Sequence, residues 1–141
     1  MATIMRDVTV NADAAGCWEA VRDFAALHER LAPGFIAGLR MTGPREREIT
    51  LFTGAKATEV LIGIDEPHMR LAYSVVKSPM GSTHHNASIQ TTSDGEGRCR
   101  LLWVTDVLPD DLAERTGELM DRGIDIMRVT LEEVPVGGAI S

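Results

Sequence analysis

Ile4, Arg6, Val8 and Val10 recur at every second position with Asp7 and Thr9 between them, the period of a strand with one buried face. Asn11 or Asp13 can then cap a helix through its side-chain oxygen, and Ala14, Cys17, Trp18 and Val21 share one face of that helix. A second short helix carries Phe24, Leu27 and Leu31. It stops at Pro33-Gly34, because proline disfavours helical geometry in the residue before it. From Phe35 to Val107 the pattern changes to short β-rich runs, punctuated at Gly43-Pro44, Thr53-Gly54, Glu66-Pro67, Pro79-Met80-Gly81 and Asp94-Gly95-Glu96-Gly97. This spacing predicts about six more strands, with no room for crossover helices, so neighbouring strands are expected to be antiparallel hairpins.

The last element is the most regular. Pro109 suits a first helical turn, and Asp110 and Asp111 complement the positive end of a helix dipole. At 3.6 residues per turn, Leu112, Thr116, Leu119, Met120, Gly123, Ile126, Met127, Thr130 and Leu131 fall in one arc, with Glu114, Glu118, Asp121, Asp125, Arg128 and Glu132 opposite. An amphipathic helix of about six turns needs a long apolar surface to cover, and the concave face of the sheet is the available one. The fold class read from this pattern is α+β. A curved antiparallel sheet of about seven strands wraps around a long C-terminal helix, with two short helices after the first strand. No repeat or linker divides the chain, so residues 1–141 form a single domain with its core over 3–133, and the Gly137-Gly138 tail is expected to fray.

Composition narrows the functions this fold can serve. An apolar fraction of 44% supports a continuous core without metal or disulfide. The formal charge of -7 and the presence of only two lysines, Lys56 and Lys77, argue against a nucleic-acid partner, whose affinity comes from clustered cations. Arg45 to Arg47 is interrupted by Glu46 and followed by Glu48, and reads as a solvated turn or edge strand. Arg6 and Asp7 break the apolar run of Met1 to Val10, so no signal-peptide core is expected there, and no apolar run of about 18 residues can span a membrane. A cytoplasmic protein with reduced Cys17 and Cys99 packed in the core is the expectation. An antiparallel edge strand near Glu46 to Phe52 could pair two copies into a homodimer where its charges do not prevent it.

Strand alternation selects the candidate site residues. With Ile89 as core anchor, His85 and Ala87 point inward and His84, Asn86 and Ser88 outward, so the two adjacent histidines cannot readily share a metal ion. No metal or cofactor is expected. Glu59 lies in an apolar run and is either a desolvated pocket carboxylate fit for proton transfer, or a carboxylate that is exposed or paired with an arginine such as Arg40. Tyr73, in phase with Leu71 and Val75, is a core tyrosine or a ligand contact, and the same choice holds for Trp103. Met120 and Met127 flank Gly123 on the inner arc of the helix, where thioethers suit adaptable apolar binding. Glycine in a helix interior costs about 0.5 to 1 kcal/mol relative to alanine, so at Gly123 either the sheet approaches closely or the space serves a ligand.

The order strand, two short helices, six strands, long helix resembles the helix-grip fold of the START and Bet v 1 (SRPBCC) superfamily, which includes bacterial polyketide cyclases and dehydrases, plant abscisic acid receptors and norcoclaurine synthase. The resemblance covers roughly Thr3 to Glu133. It rests on Cys17-Trp18, Thr58-Glu59-Val60-Leu61 leading to Ile64-Asp65, Leu71-Ala72-Tyr73 and Leu102-Trp103. Thr83-His84-His85-Asn86-Ala87-Ser88 is similar to a string in uncharacterised bacterial members of the cyclase-like branch. The resemblance implies a cavity between the sheet and the C-terminal helix. Glu59 matches a pocket glutamate of the plant receptors, and Phe52-Thr53-Gly54-Ala55 and Ser78-Pro79-Met80-Gly81-Ser82 stand where those receptors have gate and latch loops. The gate's proline is missing here, so the two loops read as an entrance rim.

Three functions follow from these residues. The first is a polyketide cyclase/dehydratase-like enzyme, with His85 or Glu59 as general acid or base and Tyr73 or Asn86 polarising an oxygen. The second is a carrier or sensor of a small hydrophobic or aromatic ligand, contacted by Trp103, Met120, Gly123, Met127, Asn86 and Arg40. The third is a protein-interaction module with a collapsed cavity. Without an internal volume of about 300 Å³ or more, the first two lose most of their support.

Overall fold

The initial alternation is realised as strand β1 (Ala2–Val10), with Ile4 and Val10 buried and Arg6 and Val8 half-buried on the same face. The structure, a computed structural model, describes residues 1–133; the Gly137-Gly138 tail lies outside them. Helix α1 (Ala14–Val21) follows, burying Cys17, Trp18 and Val21. Asp13 occupies its N-cap position but its side chain makes no capping hydrogen bond, and Asn11 donates its backbone N–H to Glu132 instead, so neither residue supplies the expected cap. The expected second helix is a 3-10 turn, Phe24–Ala26, running into a single π-helical turn, Leu27–Leu31, with Phe24, Leu27 and Leu31 buried.

Six strands follow: β2 (Ile36–Gly43), β3 (Glu46–Leu51), β4 (Lys56–Asp65), β5 (Arg70–Lys77), β6 (His84–Ser93) and β7 (Cys99–Leu108). Together with β1 they form a seven-stranded sheet in the order β1-β7-β6-β5-β4-β3-β2, antiparallel at every pairing. Register shifts within the β4–β5 pairing at Thr58/Glu59 and Leu61/Gly63, the irregularities that bend a sheet and increase its twist. The sheet's edges are β1 and β2. Strand β3 is hydrogen-bonded on both sides, so the Glu46 to Phe52 segment cannot pair two copies as the sequence suggested.

After a 3-10 turn at Asp110–Leu112, helix α2 (Ala113–Glu132) lies along the inner face of the sheet. Its buried residues are Thr116, Gly117, Met120, Gly123, Ile124, Met127 and Leu131, with Leu119, Ile126 and Thr130 at the margin. The buried arc is therefore turned slightly from the predicted one, to take in Gly117 and Ile124. At Gly123 the helix approaches the sheet closely: a Cβ there would stand 2.9 Å from Cζ3 of Trp103 and 3.0 Å from Cε2 of Phe35. Two cysteines far apart in sequence also meet. The Sγ atoms of Cys17 and Cys99 are 3.4 Å apart, both buried, joining α1 to the start of β7 as core packing.

Candidate ligand-binding cavity

The curved sheet and α2 enclose a cavity of about 110 Å³. Its walls are largely apolar, with Ile36, Ile49, Val75 and Ile89 from the sheet side and Leu119 and Met120 from the helix. The polar groups among its lining are Arg47, Glu59, Tyr73, His85, Thr105 and Thr116, with Ser78 at one end.

Arg47 and Glu59 stand directly opposite each other on β3 and β4, so both point to the same face. Both are buried, with side chains only 5% and 7% exposed, and they form an ion pair. Arg47 donates from Nε to Oε1 of Glu59 at 2.8 Å, with Nη2 2.7 Å from the same oxygen, and its Nη1 donates to the backbone carbonyl of Phe24 at 2.7 Å. The guanidinium lies 3.9 Å from the centroid of the Phe24 ring and 5.5 Å from that of Tyr73. Oε2 of Glu59 has no hydrogen-bond partner among the described residues. The pair is charge-balanced, so the cavity wall carries no net charge there.

Tyr73 is buried and its hydroxyl accepts a hydrogen bond from Nε1 of Trp103 at 3.2 Å. Burial, reinforced by the Glu59 carboxylate, pushes the Tyr73 phenol up from its ordinary value, so it remains a proton-bearing donor at neutral pH. His85 lies diagonally across from it, because Tyr73 pairs with Ala87; such neighbours are about 7 to 8 Å apart. Nδ1 of His85 is buried without a hydrogen-bond partner among the described residues. Burial, then the adjacent His84, pushes its imidazole below the ordinary histidine value, so the ring is neutral at pH 7.

Six of the nine residues singled out from the sequence, His85, Glu59, Tyr73, Trp103, Met120 and Met127, line this cavity together. The other three do not. Arg40 is on the outer side of β2, 70% exposed and paired with Glu48, because the arginine in register with Glu59 is Arg47. Asn86 is half-buried but outside the lining, as its outward phase on β6 requires. Gly123 is filled against Trp103 and Phe35 and offers no ligand volume. Arg47 was missed: read as part of a solvated stretch, it is in fact in phase with Ile49 and Leu51 on an interior strand, which is the signal that could have found it. Among the described residues no cluster of three or more histidine, cysteine or acidic side chains is arranged to hold a metal ion, and no helix is long and apolar enough to cross a membrane.

Comparison with known proteins places this architecture in a class. A START superfamily protein from Mycobacterium smegmatis has the same fold, with a TM-score of 0.71 at 15% identity, covering 92% of this chain and 94% of that one. Norcoclaurine synthase from Thalictrum flavum, solved with dopamine and hydroxybenzaldehyde, aligns with a TM-score of 0.75 at 18% identity over 99% of this chain and 89% of its own. A Thermobifida fusca protein solved by NMR aligns at 0.74 with 28% identity, over 94% of this chain and 92% of that one. The fold is thus the helix grip of the START and Bet v 1 class. The chain belongs to the family described as polyketide cyclase / dehydrase and lipid transport, whose model matches residues 1–132. No curated protein matches it in sequence.

Proposed function

We propose that this chain binds a small, mainly apolar molecule bearing a carbonyl or hydroxyl oxygen in the cavity beneath α2, and acts on it by general acid-base chemistry in the manner of a polyketide cyclase or dehydratase. The observation that carries this reading is that His85, whose Nδ1 is buried and has no hydrogen-bond partner among the described residues, and Tyr73 line the same apolar cavity. A neutral imidazole with a free ring nitrogen can accept a proton from carbon next to a carbonyl. The Tyr73 O–H, its oxygen already held by Trp103, can donate to the carbonyl oxygen on which negative charge develops. Glu59, clamped by Arg47 through Oε1, leaves Oε2 to accept from a ligand hydroxyl and hold the molecule in place.

Size limits the ligand. The cavity's 110 Å³ is below the roughly 300 Å³ of ordinary ligand pockets. Apolar cavities of about 150 Å³ hold benzene, so a single ring or a short chain is the appropriate scale. The small volume also favours a second reading, a protein-interaction module with a collapsed cavity. A carrier without turnover is a third, supported by the methionines that line the helix side of the cavity.

Native mass spectrometry of the protein purified from its own cells tests these readings. A retained single-ring or short-chain molecule supports the cavity reading, and consistent recovery of empty protein supports the collapsed module. With a turned-over compound in hand, His85→Ala should reduce kcat by roughly 100-fold or more if the imidazole does acid-base work. Unchanged turnover would remove the acid-base role from His85.

A further inference from the structure

A second concavity lies over the cavity's mouth and is larger, about 330 Å³. Leu51, Ala57, Ser78, Met80 and Leu119 line both spaces, so the outer groove and the inner cavity share a wall. The groove is bounded by the Phe52 to Lys56 turn, by Ser78 to Met80 and by the solvent side of α2. Its charge is unlike that of the chain as a whole. Arg115, Arg122 and Lys56, the last 3.8 Å from the Glu48 carboxylate, line it beside a single lining carboxylate, Glu118, whereas the whole chain carries -7.

Arg115 and Arg122 are seven positions apart, about two turns, and so lie on the same side of α2. The ion pairs of this helix run through Asp121, Asp125, Arg128 and Glu132, and Arg115 and Arg122 have no carboxylate within ion-pair distance among the described residues. The Arg122 guanidinium lies 4.0 Å from the centroid of the exposed Phe52 ring, which props it over the groove. Cations left unpaired beside the opening of a charge-neutral, apolar cavity have an evident complement: a ligand that is apolar at one end and anionic at the other.

Resting on the reading that the inner cavity takes a small apolar group, we infer that the outer groove is a headgroup subsite. The physiological ligand is then an amphiphile whose ring or short chain enters the cavity while a carboxylate or phosphate end is held by Arg115 and Arg122, with Lys56 adding field. Arginine suits this role because its planar fork can engage two oxygens of either anion.

The test uses a matched pair, phenylbutanol and phenylbutyrate, titrated into the whole protein by calorimetry at low ionic strength, with inorganic phosphate as a third probe. Phenylbutyrate should bind about tenfold more tightly than the alcohol, with the advantage falling as salt is added. That ratio should shrink to within about twofold in Arg115→Gln/Arg122→Gln and fall only part of the way in Arg115→Lys/Arg122→Lys, where the charge remains but the planar fork is lost. Each variant provides its own alcohol affinity as reference, so a general loss of folding does not imitate the effect. Equal affinity for acid and alcohol in the unaltered protein overturns the inference and leaves the cavity reading intact. The same holds if the preference survives in the glutamine variant. Phosphate binding as tightly as phenylbutyrate, with NMR shifts confined to the rim, marks a bare anion site and also overturns it. Failure of both phenyl compounds to bind overturns the cavity reading along with the inference.

Discussion

Arg47 and Glu59 carry the largest energetic stake of any two side chains in the cavity. Each is removed from water and each has the other as its charged partner, so deleting one strands the other. Arg47→Met is expected to cost about 3 to 5 kcal/mol in urea unfolding, and it also removes the donor to the Phe24 carbonyl. The double variant Arg47→Met/Glu59→Leu should regain most of that loss, since no unpaired charge remains; a double variant as unstable as the sum of the singles would show that the two are not coupled. His85 makes a separate prediction. Its folded pKa lies below the ordinary value of about 6.5, so NMR titration should place its midpoint lower than that of a free imidazole. Between those two values the unfolded chain binds a proton that the folded chain does not, so stability should fall as pH drops through that window and level off below it. At this scale the sequence set the inward phase of His85, Tyr73 and Trp103 but left Glu59 open and its partner unnamed beyond an arginine such as Arg40. Glu59's partner depended on strand register, which set Arg47 rather than Arg40 across from it.

Helix α2 was legible because a period of 3.6 is written along its whole length, and the strands because turn residues separate them. What the pattern left open was distance. Gly123 allowed two explanations until the helix was seen against Trp103 and Phe35, which occupy the space a side chain would need. Gly123→Ala should therefore destabilise the protein by about 1 to 3 kcal/mol despite alanine's better helix propensity, because a ring must move to accept the methyl. Gly16, within α1, has nothing within 4 Å of an added Cβ. There the same substitution should stabilise by up to about 1 kcal/mol, and thermal unfolding of the two variants should move in opposite directions. The second short helix was placed correctly but not shaped correctly. It is a 3-10 turn running into a π turn, with Phe24, Leu27 and Leu31 buried, a shape that the 3.6-residue period does not predict.

Across the whole molecule, closure of the core brings Cys17 and Cys99 into contact. The neighbouring Cys99 sulfur and burial push the Cys17 thiol up, and exposures of 2% and 0% keep both sulfurs from reagents. Both thiols should be nearly inert to Ellman's reagent in the native protein and react fully in denaturant; rapid native labelling would contradict this packing. The edge prediction failed at the same scale. Which strand lies at the rim is a property of sheet order, and the chain places β2 rather than β3 there. Sequence by itself determined the class of fold, the inward phase of His85, Tyr73 and Trp103, and the helix that covers them, because side-chain direction follows from period alone. Only the tertiary structure decided that Glu59 meets Arg47, that Gly123 is a contact rather than a vacancy, and that the enclosed space is about 110 Å³ beneath a cationic rim. Those depend on register, separation and packed volume between segments far apart in the chain, and periodicity carries no information about any of them.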